Sequence, residues 1–239
     1  MTKAELYKTV DKIRNYLNIC KTKYPLNIFE LCHKIDGLKI VRAAFKTKDL
    51  RGMLCVAENS NENSIILVNS NKSLLEQNYH GTHEFMHLFN DVPKAGTVIK
   101  CYDRVKPNQN RYVEWLANEG AAELLVPYKL FIPLFCSLYD MYANNYTLWK
   151  ISYGNITLIQ ELADRFGVTT MVIRNRIKNL SYEIDQYKSG IDVNYINLLS
   201  ASQQSYNCIT HTDYDNAISK LELKYNFAIP WDGILSANY

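Results

Sequence analysis

Residues 83–87, which read His-Glu-Phe-Met-His, carry the side chains of this chain best suited to metal chemistry. Residues four apart share one face of a helix, so His83 and His87 can bind one metal ion while Glu84 projects beside it. Imidazole nitrogens are good zinc ligands, and a carboxylate next to zinc-bound water can accept a proton from that water. The chain has only five histidines in 239 residues, which makes an accidental match rare. The segment predicts a zinc hydrolase site that needs a third ligand downstream.

The third ligand is expected on a helix predicted from about residue 111. This helix offers three carboxylates: Glu114, Glu119 and Glu123. At about 100° per residue, Glu114 falls on the apolar face, whereas Glu119 and Glu123 are expected to face solvent. A carboxylate on an apolar face is costly without a strong partner, and a metal ion would supply one. Glu114 is therefore the predicted ligand, with Asn118 one turn later placed to hydrogen-bond a ligand histidine.

The order of helical and extended patterns predicts an α+β fold with a small N-terminal sheet and a mostly helical remainder. The expected elements are helices at 3–20 and 28–35, strands at 38–45, 52–57 and 64–69, a helix at about 72–89 capped by Ser70-Asn71, a helix at 111–126, helical pattern over 128–180, and two possible helices near 191–205 and 213–225. Residues 91–110 hold two prolines, a glycine and many polar groups, so they are predicted to form a long loop.

The two motifs together resemble the ImmA/IrrE metallopeptidases. Those proteins show HExxH followed by E-x-x-A-N-x-F-A-A-x-L-L-x-P, and here the second motif begins at Glu114, includes Asn118 and ends at Pro127. The resemblance covers about residues 20–180. It implies a compact zincin core of the thermolysin type. Two positions depart from the family pattern: Gly120 stands where the family usually has Phe, and Met86 stands where many members have Gly.

The resemblance also implies a ligand set and a domain organisation. His83, His87 and Glu114 would bind one catalytic Zn²⁺ ion, and Glu84 would be the general base. The ligand types favour zinc without excluding manganese or cobalt. The expected organisation is a zinc metallopeptidase core over 1–150, a helix-turn-helix-like pair completing the core over 151–181, and an extension of unknown role over 182–239.

The implied reaction is hydrolysis of a peptide bond by metal-activated water, catalysed by an endopeptidase of narrow range. By the resemblance, its protein substrate would be a regulatory protein such as a helix-turn-helix repressor. A peptidase needs a donor for the tetrahedral oxyanion, and the candidates are His80 and His211. By the resemblance to thermolysin-type peptidases, the strand at 64–69 could pair with an extended substrate by β-augmentation.

An alternative function arises from residues 156–180. Ala163, Gly167 and Ile173 are spaced as in a helix-turn-helix, and Thr169-Thr170 can cap the second helix. That helix carries three basic residues that could contact phosphates: Arg174, Arg176 and Lys178. The protein would then be a DNA- or protein-binding transcriptional regulator with a structural zinc ion. A purely structural site needs no carboxylate beside its ligands, so Glu84 favours the enzyme.

Composition excludes few function classes. The chain is 47% hydrophobic and 21% charged. Its formal net charge of +3 provides only weak electrostatic attraction for nucleic acid. The N-terminal segment is polar and amphipathic, and no apolar run approaches the roughly 20 residues of a membrane span. The six cysteines form no CxxC pair. We therefore expect reduced thiols in a cytoplasmic protein without membrane contact.

Overall fold

The computed structural model describes residues 1–19, 24–90, 93–107, 109–144 and 155–206. Its helices are α1 Lys3–Tyr16, α2 Ile28–Cys32, α3 Leu74–Asn90, α4 Arg111–Leu125, α5 Tyr128–Asn144, α6 Asn155–Phe166, α7 Thr170–Asn179, α8 Ser181–Lys188 and α9 Ala201–Tyr206; its strands are β1 Leu38–Ala43, β2 Leu50–Cys55, β3 Ser64–Asn69 and β4 Val98–Tyr102. The predicted α+β class is confirmed. The helix proposed near 191–205 is limited to α9, and the one proposed at 213–225 lies outside the described residues.

The four strands form one sheet in the order β1-β3-β2-β4. β1 and β3 are parallel, whereas β2 is antiparallel to both β3 and β4. Because β3 has a neighbour on each side, its backbone is already paired, and the predicted pairing of residues 64–69 with a substrate is wrong. β4 was predicted as part of a loop. It is a short strand with Lys100 in its centre, so its sequence lacks the regular alternation that identifies longer strands.

Helix α3 packs against one face of this sheet. Its Phe85 and Met86 share a core with Leu54 and Ile66 from the strands. Gly81 allows this close approach, since a Cβ at that position would lie 3.0 Å from the side chain of Ile40. The sheet therefore fixes the position of the helix that carries the HExxH motif.

The start of α3 differs from the prediction. The backbone N–H of Glu76 donates to Ser73 Oγ at 3.3 Å, and the N–H of Ser73 donates to Glu76 Oε2 at 3.0 Å. These reciprocal bonds form a capping box that satisfies two of the free N–H groups at the helix start. The helix therefore begins at Leu74, after Ser73 rather than after Ser70-Asn71.

The remaining helices surround a second core. It includes Leu6 of α1, Phe131 of α5, Leu162 of α6 and Ile173 of α7. The predicted turn between α6 and α7 is confirmed, because Gly167 has φ +63°, a backbone conformation that favours glycine. The Thr169 side chain accepts a hydrogen bond from the N–H of Val172 and caps α7. The helix-turn-helix-like pair therefore packs as part of the helical core.

A buried ionic cluster contradicts two expectations. Glu119 and Glu123 are almost fully buried rather than exposed to solvent, and Arg176 is buried rather than available for phosphates. The Arg176 guanidinium pairs with Glu119 at 2.7 Å and also with Glu123. It further donates to the Val126 carbonyl at 2.9 Å and to the Tyr7 hydroxyl at 2.6 Å. Helix α4 is thus covered on both sides, by α3 and by the α1–α7 pair, which removes the solvent face assumed in the prediction.

Within the described residues, no single helix has the length and apolar character needed to cross a bilayer. Only Arg111–Leu125 and Tyr128–Ala143 reach that length and composition together, and the two are bent by 65° relative to each other. The four cysteines of the described chain are free thiols: Cys32, Cys55, Cys101 and Cys136.

Candidate metal centre

Helices α3 and α4 bring the three predicted ligands together. The Nε2 atoms of His83 and His87 are 3.0 Å apart. Glu114 Oε2 lies 3.4 Å from His83 Nε2, and Glu114 Oε1 lies 3.8 Å from His87 Nε2. All three side chains are buried. Two residues one helical turn apart and a carboxylate from the neighbouring helix therefore face one point.

The donor set fits a small divalent ion. Ligand atoms about 2.0–2.2 Å from a tetrahedral zinc ion lie about 3.3–3.5 Å from one another, close to the observed separations. Burial lowers the pKa of His83, which keeps its imidazole neutral and able to act as a ligand. Burial raises the pKa of Glu114, but its contacts with His83, His87 and Gln109 outweigh this effect and leave it below the ordinary value. A neutral imidazole on His83 beside an ionised Glu114 is the combination of protonation states that metal binding requires.

Two amide side chains orient the ligands. Asn118 makes the hydrogen bond predicted for it, with its Oδ1 lying 3.0 Å from His83 Nδ1. An Nδ1–H that donates to this oxygen leaves the Nε2 lone pair directed at the centre. Gln109, which the sequence did not indicate, donates from Nε2 to Glu114 Oε1 at 2.8 Å and to the Lys100 carbonyl at 2.9 Å. It ties the ligand helix to β4 and lies in the segment predicted as loop.

Glu84 follows His83 on α3 and lies close enough to Glu114 for the charge of Glu114 to affect it. It is completely buried, and neither carboxylate oxygen has a hydrogen-bond partner of ordinary geometry among the described residues. Burial, together with the negative charge of Glu114, raises its pKa well above the ordinary value, and the nearby Cys101 thiol offsets this rise only in part. A Cβ on Gly52 would lie 2.7 Å from Glu84 Oε1, so the glycine of β2 provides the space for this carboxyl group. An unpartnered buried carboxyl is costly and points to a ligand or reacting group nearby.

The structure adds Cys101 of β4 to the centre. Its sulfur, a ring nitrogen of His83 and a carboxylate oxygen of Glu114 all lie within 4.8 Å of one another. Cys101 pairs with Gly52 in the register of β2 and β4. Sequence reasoning missed both residues, because neither belongs to a spacing motif and their proximity depends on strand pairing.

Among the described residues, His80 is not part of the ligand cluster. His80 is buried, and burial together with the charge of Arg51 lowers its pKa to about 3. His80 is thus neutral, and its role as an oxyanion donor stays a prediction. His211 lies outside the described residues.

A family model matches the part of the chain that contains this centre. Residues 34–178 match the IrrE N-terminal-like domain, Peptidase_M78. The match covers more than half of the chain. The chain belongs to this family. The matched residues run from before β1 almost to the end of α7, so the Peptidase_M78 domain contains the three ligands, Glu84 and Cys101. The peptidase-type family predicted from the two motifs is confirmed.

The two departures from the family pattern lie in contact. A Cβ on Gly120 would lie 2.7 Å from Met86 Cε and 3.3 Å from Asn90 Nδ2. The large residue on α3 therefore occupies the space that a side chain on α4 would need. In this member of the Peptidase_M78 family, a small residue at 120 compensates for a large one at 86, which preserves the crossing of the two ligand helices.

No curated protein gives a match to this chain. One solved structure, described as a Mycobacterium tuberculosis transcriptional regulator, is similar over 74% of this chain and 47% of that chain, with 14% sequence identity and a TM-score of 0.43. The matched region is thus less than half of that protein, and a likeness at this level transfers no function to this chain.

Proposed function

We propose that the protein is a cytoplasmic, zinc-dependent endopeptidase that cleaves a specific regulatory protein. The observation that carries the proposal is the position of Glu84, buried and unpartnered next to three convergent ligands. A structural zinc site gains nothing from a second carboxyl group in this position, whereas hydrolysis requires a base there. Membership of the Peptidase_M78 family supports the same reaction class.

His83, His87 and Glu114 would hold the ion, and Asn118 and Gln109 would keep the ligands oriented. When bound, the ion would lower the pKa of a water molecule and polarise the carbonyl of the scissile bond. Glu84 would take the proton from that water and deliver it to the leaving amine. Burial raises the pKa of Glu84, which makes its ionised form a stronger acceptor for the proton of the water.

The substrate class is proposed from the motifs shared with ImmA/IrrE proteins, which point to a helix-turn-helix repressor. The DNA-binding alternative is weakened by the structure, because Arg176 is buried in an ionic cluster. A protein-binding regulator with a structural metal predicts that Glu84 is dispensable. The two proposals therefore differ in the expected effect of one substitution.

The test replaces Glu84 with Gln and compares new protein N-termini in cells that carry either form, with metal content measured on both purified proteins. We expect equal zinc in both and a short set of cuts, within a repressor, that disappears in Glu84→Gln. Glu76→Gln, at the exposed start of the same helix, is the matched control and should cleave normally. Glu114→Ala should lose zinc to a chelator that leaves the wild type loaded. Undiminished cleavage by Glu84→Gln would refute the proposed base.

A further inference from the structure

Cys101 lies in the metal centre although no sequence motif places it there. Its sulfur belongs to one group with donor atoms of His83 and Glu114, all within 4.8 Å of one another. The side chain is buried, and its thiol makes a long hydrogen bond to the Tyr102 carbonyl at 4.0 Å. The partner of Cys101 in the sheet is Gly52, and the missing side chain of that glycine leaves space for the Glu84 carboxyl group.

The distances suit direct coordination of an ion by the sulfur. With Zn–S about 2.3 Å and Zn–N about 2.0–2.1 Å, a tetrahedral site separates sulfur from nitrogen by about 3.5 Å. The sulfur lies within 4.8 Å of the His83 and Glu114 donors, so it needs to move by only about 1 Å toward them to reach that separation. β4 lies at the edge of the sheet and pairs with β2. A small shift of β4 therefore disturbs backbone hydrogen bonds along only one of its two sides.

We propose that Cys101 is a fourth protein ligand that closes the metal site in the resting protein. The inference rests on the proposed function, because it requires a metal held by His83, His87 and Glu114. Structural zinc sites have four protein ligands, whereas catalytic sites keep one position for water. With the Cys101 thiolate bound, and its proton released to solvent on coordination, the water position is filled. The buried Glu84 is the group that would act once sulfur leaves and water enters.

Cobalt(II) provides a readout that does not depend on activity. Its visible d–d absorption shows that the metal is bound, and a near-ultraviolet charge-transfer band shows a thiolate ligand. The full chain, stripped of metal and loaded with Co²⁺, is compared as wild type, Cys101→Ser and Cys55→Ser. Cys55 lies on the neighbouring strand and is the matched thiol control. We expect d–d bands in all three proteins and loss of the charge-transfer band in Cys101→Ser alone.

The outcomes separate this inference from the proposed function. Visible bands without a sulfur band in the wild type would overturn the role of Cys101 and leave the peptidase proposal standing. No cobalt spectrum in any of the three proteins would overturn both. X-ray absorption of the zinc-loaded wild type needs no variant: we expect one sulfur at about 2.3 Å, and a shell of nitrogen and oxygen alone would refute the assignment. Cells carrying Cys101→Ser should show the Glu84-dependent cuts at higher abundance without a stimulus.

Discussion

Replacing Arg176 with methionine should destabilise the protein strongly, although Arg176 lies far along the chain from the ligands. The guanidinium is fully buried and pairs with both Glu119 and Glu123. Methionine keeps much of the apolar volume but removes the guanidinium that pairs directly with both buried carboxyl groups. Breaking a buried pair in this way costs about 3–5 kcal/mol, against a typical total stability of roughly 5–15 kcal/mol.

Urea unfolding measures this loss. With a slope of about 2–3 kcal/mol per molar urea, the midpoint should fall by roughly 1–2 M. Arg174→Met on the same helix is the matched control, because Arg174 is partly exposed and should change stability by about 0.5 kcal/mol or less. Adding Glu119→Gln and Glu123→Gln to Arg176→Met should restore most of the stability, since the penalty comes from uncompensated charge.

The pH dependence gives a second check. Without the guanidinium, the pKa of Glu123, which burial already raises to about 7, should rise further, and the pKa of Glu119 should rise above the unfolded value of about 4.3. The deficit of Arg176→Met should therefore be smallest below that pH and grow as the pH rises. A loss under about 1 kcal/mol, or a loss equal to that of Arg174→Met, would refute the view that this cluster holds α7 to the ligand helix.

Two further predictions concern packing and charge. Gly120→Phe should cost about 1–3 kcal/mol or more by overpacking against Met86, and Met86→Gly about 2–5 kcal/mol by leaving a cavity. The double variant should recover much of both losses in a double-mutant cycle; simple additivity would contradict the contact. Burial raises the pKa of Asp185 to about 6, because the folded protein favours the protonated carboxyl group. The contribution of this group to folding stability is therefore fully present below about pH 4 and is lost as the pH rises through 6. Asp185→Asn should gain stability over the wild type across that interval, and parallel pH profiles would disprove this.

The ligand set could be predicted from the sequence because it depends on helix geometry. The 3.6-residue period places His83 and His87 on one face whatever the rest of the fold does. The same period singled out Glu114 as a carboxylate on an apolar stripe. The turn at Gly167 and the cap at Thr169 were likewise readable, since each depends on a few adjacent residues.

The 3.6-residue period gave the wrong exposure for Glu119 and Glu123 on the same helix. It assumes that a helix has one buried face and one solvent face, whereas α4 is buried against α3 on one side and against α1 and α7 on the other. Which charged side chains of such a helix are buried depends on partners from other helices, here Tyr7 of α1 and Arg176 of α7. No local pattern contains that information.

Local sequence thus determined which side chains could bind a metal and how α3 and α4 present them. Tertiary structure alone decided what surrounds them. The sheet order placed β4 beside β2, their register set Cys101 opposite Gly52, and the loop before α4 brought Gln109 to Glu114. These contacts join segments far apart in the chain, and their energies depend on packing and hydrogen bonding across that separation rather than on the conformational preferences of neighbouring residues.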